Sequence, residues 1–206
     1  CVSDEIVEIT ETGVRMRDGG LIELDMLILA TGYDGLTGAL MSFDVVGRDG
    51  QTVNQKWRDG ARSLMGLMMS GFPNLFMTTG PNGPAALANI VRISEHDVDW
   101  IAAAMTHMKN RGLATIEPTL AAEDDWMDIV ATLAKRSLIT KAKTWWVGTN
   151  VKDKPSGLTM FIGGFLAYRT HAAAATQDGY ARFSFGPAKT AARPPEAREA
   201  DSLASA

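Results

Sequence analysis

The chain has 206 residues, 46% hydrophobic and 21% charged, an ordinary globular composition that allows one large domain or parts of two. A net charge of -4, with Lys and Arg spread along the chain, argues against nucleic acid as a partner. The single cysteine excludes an internal disulfide framework and fits a reducing, cytoplasmic location, and no apolar run approaches the ~20 residues of a membrane span.

The chain opens on CVSDEIVEIT, which lacks the basic and apolar regions of a secretory signal. Strand-like sequence directly after Cys1 reads as a chain joined in mid-domain, either a truncation or a natural fragment. Residues 1–34 predict β structure. Val14 and Met16 alternate with Arg15 and Arg17 before a DGG turn, a hairpin signal, and the run Met26 to Ala30 is apolar throughout, as in a strand buried on both faces. Residues 35–70 are less regular, with Trp57, Leu64, Met65 and Leu67 expected to pack. A short strand is expected over Leu75 to Thr78, then the Gly/Pro loop TGPNGP, then a helix from about Ala85 to Arg111.

That helix carries Leu87, Ile90, Val91, Val98, Ile101, Ala102, Met105 and Met108 at helical spacing, opposite Arg92, Glu95, Asp99 and Lys109, and Gly112 stops it. A second helix spans about Ala121 to Ser137 on a stripe of Trp126, Ile129, Val130 and Leu133. Its first-turn acids Glu123, Asp124 and Asp125 read as a solvated group favoured by the helix dipole. A third helix lies near Gly164 to Asp178 and ends at Gly179. The last twenty residues are Ala, Pro and charge, too poor in apolar groups to offset ordering entropy, and read as a disordered tail.

Common catalytic signatures are missing. There is no G-x-S-x-G and no G-x-G-x-x-G, and His96, His107 and His171 show no metal-ligand spacing. Two stretches keep a chemical reading. If a helix starts after Gly80 to Pro84, its first N–H groups and dipole favour an anionic or electron-rich ring edge, and the small residues let a flat ligand approach. A plain Pro-started helix explains the loop without any ligand, and the loop alone favours that. In TWWVGTN, two adjacent Trp on an extended segment point to opposite faces, one for the core and one available to a ligand, with Asn150, Lys152 and Lys154 as polar contacts behind them.

Taken together, LILATGYDGLTGAL, GLMMSGFPNLFMTTGPNGPAALANI and TWWVGTNVKDKPSGLTMFIGGFLAYR resemble, in this order, three blocks from the C-terminal half of Baeyer–Villiger monooxygenases, class B flavoproteins. DGARSLMGL and EHDVDWI resemble the intervening pieces, and the likeness runs from about Ile6 to Phe185. The resemblance implies an α/β fold that is the C-terminal part of a two-domain Rossmann-like flavoprotein. Residues 1–34 would end the NADP-binding domain. Residues 35–186 would form the C-terminal part of the FAD-binding domain with helical additions, and 187–206 the tail.

The resemblance also implies FAD and NADPH as cofactors, a ketone and O2 as substrates, insertion of oxygen next to the carbonyl, and the missing N-terminal half of the same fold as partner. Thr31 and Gly32 would mark the return to the FAD domain. Ala86, Leu87, Asn89 and Ile90 would lie beside the flavin and substrate, with Ile90 shaping the pocket. Trp145, Asn150 and Lys154 would face NADP. Asp153 stands where the family has Gly, and Tyr33 where Phe is usual. The nucleotide-binding glycines and the family's active-site Arg are not in the sequence, so no catalytic residue is assigned and the chain alone is expected neither to hold FAD tightly nor to oxidise ketones. N- or S-oxygenation by a related flavoprotein, or a non-catalytic truncated chain, are the alternatives.

Overall fold

The structure, a computed structural model, describes residues 2–30, 32–84, 88–142, 144–148 and 157–187. The chain divides into two compact units, Cys1–Tyr33 and Asp34–Ala206.

The first unit is an antiparallel meander of β1 (Ile6–Ile9), β2 (Gly13–Met16) and β3 (Leu21–Glu23). Thr10 N–H donates to Gly13 O at 2.8 Å to close the first turn, and Val14 and Met16 turn inward as their alternation with Arg15 demands. Gly13 sits where a Cβ would lie 2.0 Å from Ile22 O, so only glycine lets β3 come this close. The expected buried strand at Met26 to Ala30 is not formed. Met26, Ile28 and Leu29 are 75%, 80% and 71% exposed. A strand buried on both faces needs flanking strands and covering helices. Three short strands supply neither.

The second unit carries α1 (Gly38–Met41), α2 (Val53–Lys56), α3 (Ile90–Asn110), β4 (Leu113–Pro118), α4 (Leu120–Lys135), α5 (Phe165–Gln177) and β5 (Phe183–Pro187). β4 and β5 form a two-stranded antiparallel ribbon with Ile116 opposite Phe185 and Pro118 opposite Phe183. Neither strand carries a pattern in the sequence that marks it. The region 75–78 forms no strand; Met77 N–H instead reaches Leu67 O at 2.8 Å as part of an irregular pairing with the 64–68 turn. β5 runs one residue into the expected tail, and the rest of that tail lies outside the described residues.

Helix ends follow local chemistry. Thr119 caps α4 by accepting from Ala122 N–H at 3.2 Å, and Asn89 caps α3 by accepting from Val91 N–H and Arg92 N–H at 3.0 and 3.3 Å. The α3 cap corrects the expected start near Ala85: the helix begins at Ile90, after the Asn side chain that satisfies its first amides. Its buried face differs too. Ile93, Asp97, Trp100, Ala104 and Met108 point inward, while Ile90, Val91, Val98 and Met105 are more than half exposed. Apolar residues cover over half of this helix's circumference, so the spacing marks a broad sector and leaves open which half is packed.

The main core joins α3, α4 and α5. Trp126 stacks on Phe161 with ring centroids 4.9 Å apart, and Trp100 donates Nε1–H to Ala172 O at 3.2 Å. A smaller cluster gathers Val53, Trp57, Met69, Phe72 and Met77. Glu123, expected in solvent, is fully buried. Lys56 Nζ and Arg62 Nε lie 2.9 and 2.6 Å from its Oε1, and Ser70 N–H donates to its Oε2 at 2.7 Å. Arg62 also pairs with Asp124. The first turn of α4 thus anchors the 56–70 segment.

Candidate functional site

The Gly/Pro loop is buried from Gly80 to Pro84 and its backbone polar groups are used internally. Gly80 N–H donates to Gly66 O at 3.1 Å, Asn82 N–H to Thr159 O at 2.7 Å and Gly83 N–H to Gly80 O at 3.1 Å. Pro81 O accepts from Ser63 Oγ at 2.6 Å, Asn82 O from Trp126 Nε1 at 3.1 Å and Gly83 O from Phe161 N–H at 2.7 Å. Thr79 (φ 51°) and Asn82 (φ 66°) both adopt the left-handed region, which Asn tolerates and a β-branched Thr does not. A Cβ on Gly80 would sit 2.5 Å from Gly66 O, so two backbones meet here with no room for side chains. The loop is a fixed wall of small residues. The amides expected to be unpaired are those of a helix starting at about Ala85, and residues 85–87 lie outside the described residues; the loop's own amides at 80, 82 and 83 are all used.

The Trp pair is also rearranged. Residues Trp145–Val147 form a 3-10 turn instead of an extended segment, closed by Gly148 at φ 75°. Thr144 Oγ1 accepts from Trp146 N–H at 3.4 Å. The rings stand 84° apart; Trp145 is 42% exposed and Trp146 packs against the core. One tryptophan faces solvent and one faces inward, as expected, through a turn and not through strand alternation.

Residues 157–161 connect the two stretches. Thr159 N–H and Oγ1 both donate to Trp146 O at 2.9 Å, while Thr159 O takes the Asn82 N–H. Two residues on, Phe161 N–H holds Gly83 O. This bridge was not visible in the sequence, because it is made almost wholly by backbone atoms.

Of the expected site residues, Gly32 is exposed in the first unit, and Asn89, Ile90 and Trp145 are exposed in the second. Thr31, Ala86, Leu87, Asn150 and Lys154 lie outside the described residues. A cleft of about 960 Å³ in the second unit is walled by Met41, Trp57, Met127, Val130 and Thr159 among others. Asn82 Nδ2 donates to Leu158 O at 3.4 Å, and among the described residues the cleft meets the Gly/Pro loop's partners only at Leu158 and Thr159, so it is a neighbouring space and not the surface around Asn89 and Ile90.

Nothing in the sequence around it marks Asp97 out. It is 1% exposed, and it accepts from Thr79 N–H at 2.9 Å and from the Tyr168 hydroxyl at 2.7 Å. Burial pushes the Asp97 carboxyl above its ordinary range, partly offset by those two hydrogen bonds and by His96. Burial, the Asp97 charge and their hydrogen bond push the Tyr168 phenol up as well, so it stays protonated. His96 Nδ1 is 3.7 Å from Asp97 Oδ1 and has no hydrogen-bond partner among the described residues. The His residues gather no metal-ligand set: among the described residues no cluster of three His, Cys, Asp or Glu is placed to hold an ion. No described helix is long and apolar enough to cross a membrane.

The residues present fit one edge of a flat cofactor: a rigid small-residue wall, an exposed helix start at Asn89 and Ile90, and an exposed Trp145. No family model matches the chain. It is 40% identical over 180 residues to the acetone monooxygenase (methyl acetate-forming) of Gordonia sp. strain TY-5, covering 87% of this chain and 34% of that protein. It is 34% identical over 164 residues to the phenazine N-monooxygenase PhzNO1 of Lysobacter antibioticus, covering 80% and 30%. The closed crystal structure of cyclohexanone monooxygenase matches with a TM-score of 0.83 at 36% identity, over 90% of this chain and 34% of that one. The structure of OTEMO in complex with FAD and NADP matches with a TM-score of 0.80 at 30% identity, over 89% and 33%. The chain thus spans about a third of the length of the relatives it matches, and over that third it is similar to them in sequence and in its mixed helix and sheet fold.

Proposed function

We propose that this chain is part of an NADPH- and FAD-dependent Baeyer–Villiger monooxygenase that inserts oxygen beside a ketone carbonyl to give an ester or lactone. The observation that carries this reading is the Thr159 bridge, which ties the TGPNGP loop to the Trp145–Trp146 turn in a chain that matches a structure holding both FAD and NADP. In this reading the first unit ends the NADP domain and the second belongs to the FAD domain.

When bound, the flavin supplies the redox and oxygen chemistry. The chain's own residues bind and orient. The loop 79–84 and the small Ala86 back a flat wall, with Leu87 and Asn89 beside the ring and the dipole of α3 adding partial positive charge at that end. Ile90 limits the ketone's shape. Exposed Trp145 offers a ring face to the nicotinamide cofactor, Asn150 and Lys154 its polar contacts, and Thr31 and Gly32 mark the crossing between domains.

The test uses the full polypeptide that contains this chain. Purified with FAD, it is expected to consume NADPH only when a small ketone is present and to release the ester. W145A is expected to raise the NADPH KM about tenfold, the loss of about one good contact, with flavin content unchanged. A flavin-free protein, or one whose NADPH consumption ignores ketones, overturns the reading. The phenazine N-monooxygenase match favours a second reading, oxygenation of a ring nitrogen. An N-oxide formed from phenazine, with no ester from any ketone, would select it.

A further inference from the structure

We propose that Asp97 is a positioning residue that fixes the Thr79 corner of the Gly/Pro loop and, through it, the wall that meets the flavin; the second half rests on the function proposed above. Asp97 belongs to α3, yet its two oxygens serve two other parts of the unit. Oδ2 accepts from Thr79 N–H at 2.9 Å, at the entrance to the loop, and Oδ1 accepts from Tyr168 on α5 at 2.7 Å. Three segments are therefore tied at one carboxylate.

Packing does not explain it. A carboxylate that is 1% exposed is costly unless its oxygens are satisfied, and an apolar residue at this place on α3 would join the core at no such cost. Among the described residues, the groups facing it are the Thr79 amide from the loop, Tyr168 from α5 and His96 from its own helix, with no Lys or Arg among its ion-pair partners. What it secures is unusual. Thr79 is a β-branched residue at φ 51°, a conformation that persists only when its surroundings hold it. From that corner Gly80 turns under Gly66, and Asn82 and Gly83 reach Thr159 and Phe161. A corner free to relax to an ordinary φ would re-aim the rest of the loop.

Hydrogen exchange followed residue by residue tests the first half without any cofactor. In D97A, exchange at the Thr79 amide should quicken by about tenfold or more relative to wild type, while Val130 in the core of α4 stays within about twofold. D97N, which keeps the shape and one carbonyl acceptor, should fall between, and it serves if D97A does not fold. Y168F removes the other hydrogen bond of the same carboxylate and should leave Thr79 protection within about threefold. Equal acceleration at Thr79 and Val130 would make Asp97 an ordinary core residue and overturn the proposal.

The second half is read in the FAD-loaded full polypeptide. D97N should shift the flavin absorption band and raise the share of NADPH oxidised without ester at least about threefold, with the ketone KM little changed. Faster Thr79 exchange with an unmoved flavin spectrum and unchanged coupling overturns this half. A wild-type protein that holds no flavin is recognised before any variant is made and counts against the proposed function, while the exchange comparison still decides the role of Asp97 on the loop.

Discussion

Asp97 and Glu123 are both carboxylates buried in the second unit, and they are satisfied in opposite ways. Glu123 sits between two cations, Lys56 and Arg62, with Ser70 N–H as a third donor. Asp97 has two neutral donors, and a histidine that lies beyond hydrogen-bond distance. The cation-paired site joins α4 to the 56–70 segment, a large structural seam. The neutral-donor site holds one strained corner of one loop. The charge facing cations fastens its elements through ion pairs, whereas the one facing an amide and a phenol joins α3, α5 and the loop through neutral donors alone.

The difference is sharpest on removal. Glu123→Ala leaves Lys56, 7% exposed at its side chain, without its carboxylate partner, and should destabilise the second unit by about 3–5 kcal/mol in urea denaturation. Asp97→Asn strands no cation and should cost about 1–3 kcal/mol by the same measurement. A larger loss at Asp97 than at Glu123 would break the contrast.

pH sharpens it further. The folded Asp97 carboxyl titrates above its ordinary value of 3.8 because burial disfavours the charge. The folded state therefore binds its proton more tightly than the unfolded state does. That contribution is fully present below the ordinary value and is lost as pH rises through the raised one. Wild type should gain on Asp97→Asn as pH falls through this window, measured as the difference of their urea midpoints. A difference that stays flat would mean that burial does not govern Asp97. The smallest effect is expected at the α4 cap, where Thr119→Ala should cost about 1 kcal/mol, touching neither carboxylate and leaving the pH dependence unchanged.

Features governed by near neighbours were legible in the sequence. The DGG turn, the Gly112 and Gly179 stops, and the α4 stripe of Trp126 and Val130 all stand where local pattern placed them. Long-range features were not. The β4–β5 ribbon pairs Ile116 with Phe185, and neither segment signals the other. Glu123 looked like a solvated first-turn acid because Lys56 and Arg62 are distant in the chain. The helical pattern continues back to about Ala85, whereas α3 begins at Ile90 after its Asn89 cap; residues 85–87 lie outside the described residues. In the candidate site, residue types and order could be read from the motifs. The Thr159 bridge and the Thr79–Asp97 bond could not: main-chain atoms make almost all of the first, and in the second the Asp97 side chain meets a main-chain amide that nearly any residue at 79 would supply.

The spacing of that bridge is a constraint on engineering. Asn82 N–H binds Thr159 O and Gly83 O binds Phe161 N–H, so adjacent residues on one segment are matched to residues two apart on the other. One residue added or lost between Thr159 and Phe161 would break one of these two bonds. In chimeras with related chains, residues 79–84 and 157–161 therefore form a single cassette: they should be exchanged together, with their lengths kept, or not at all.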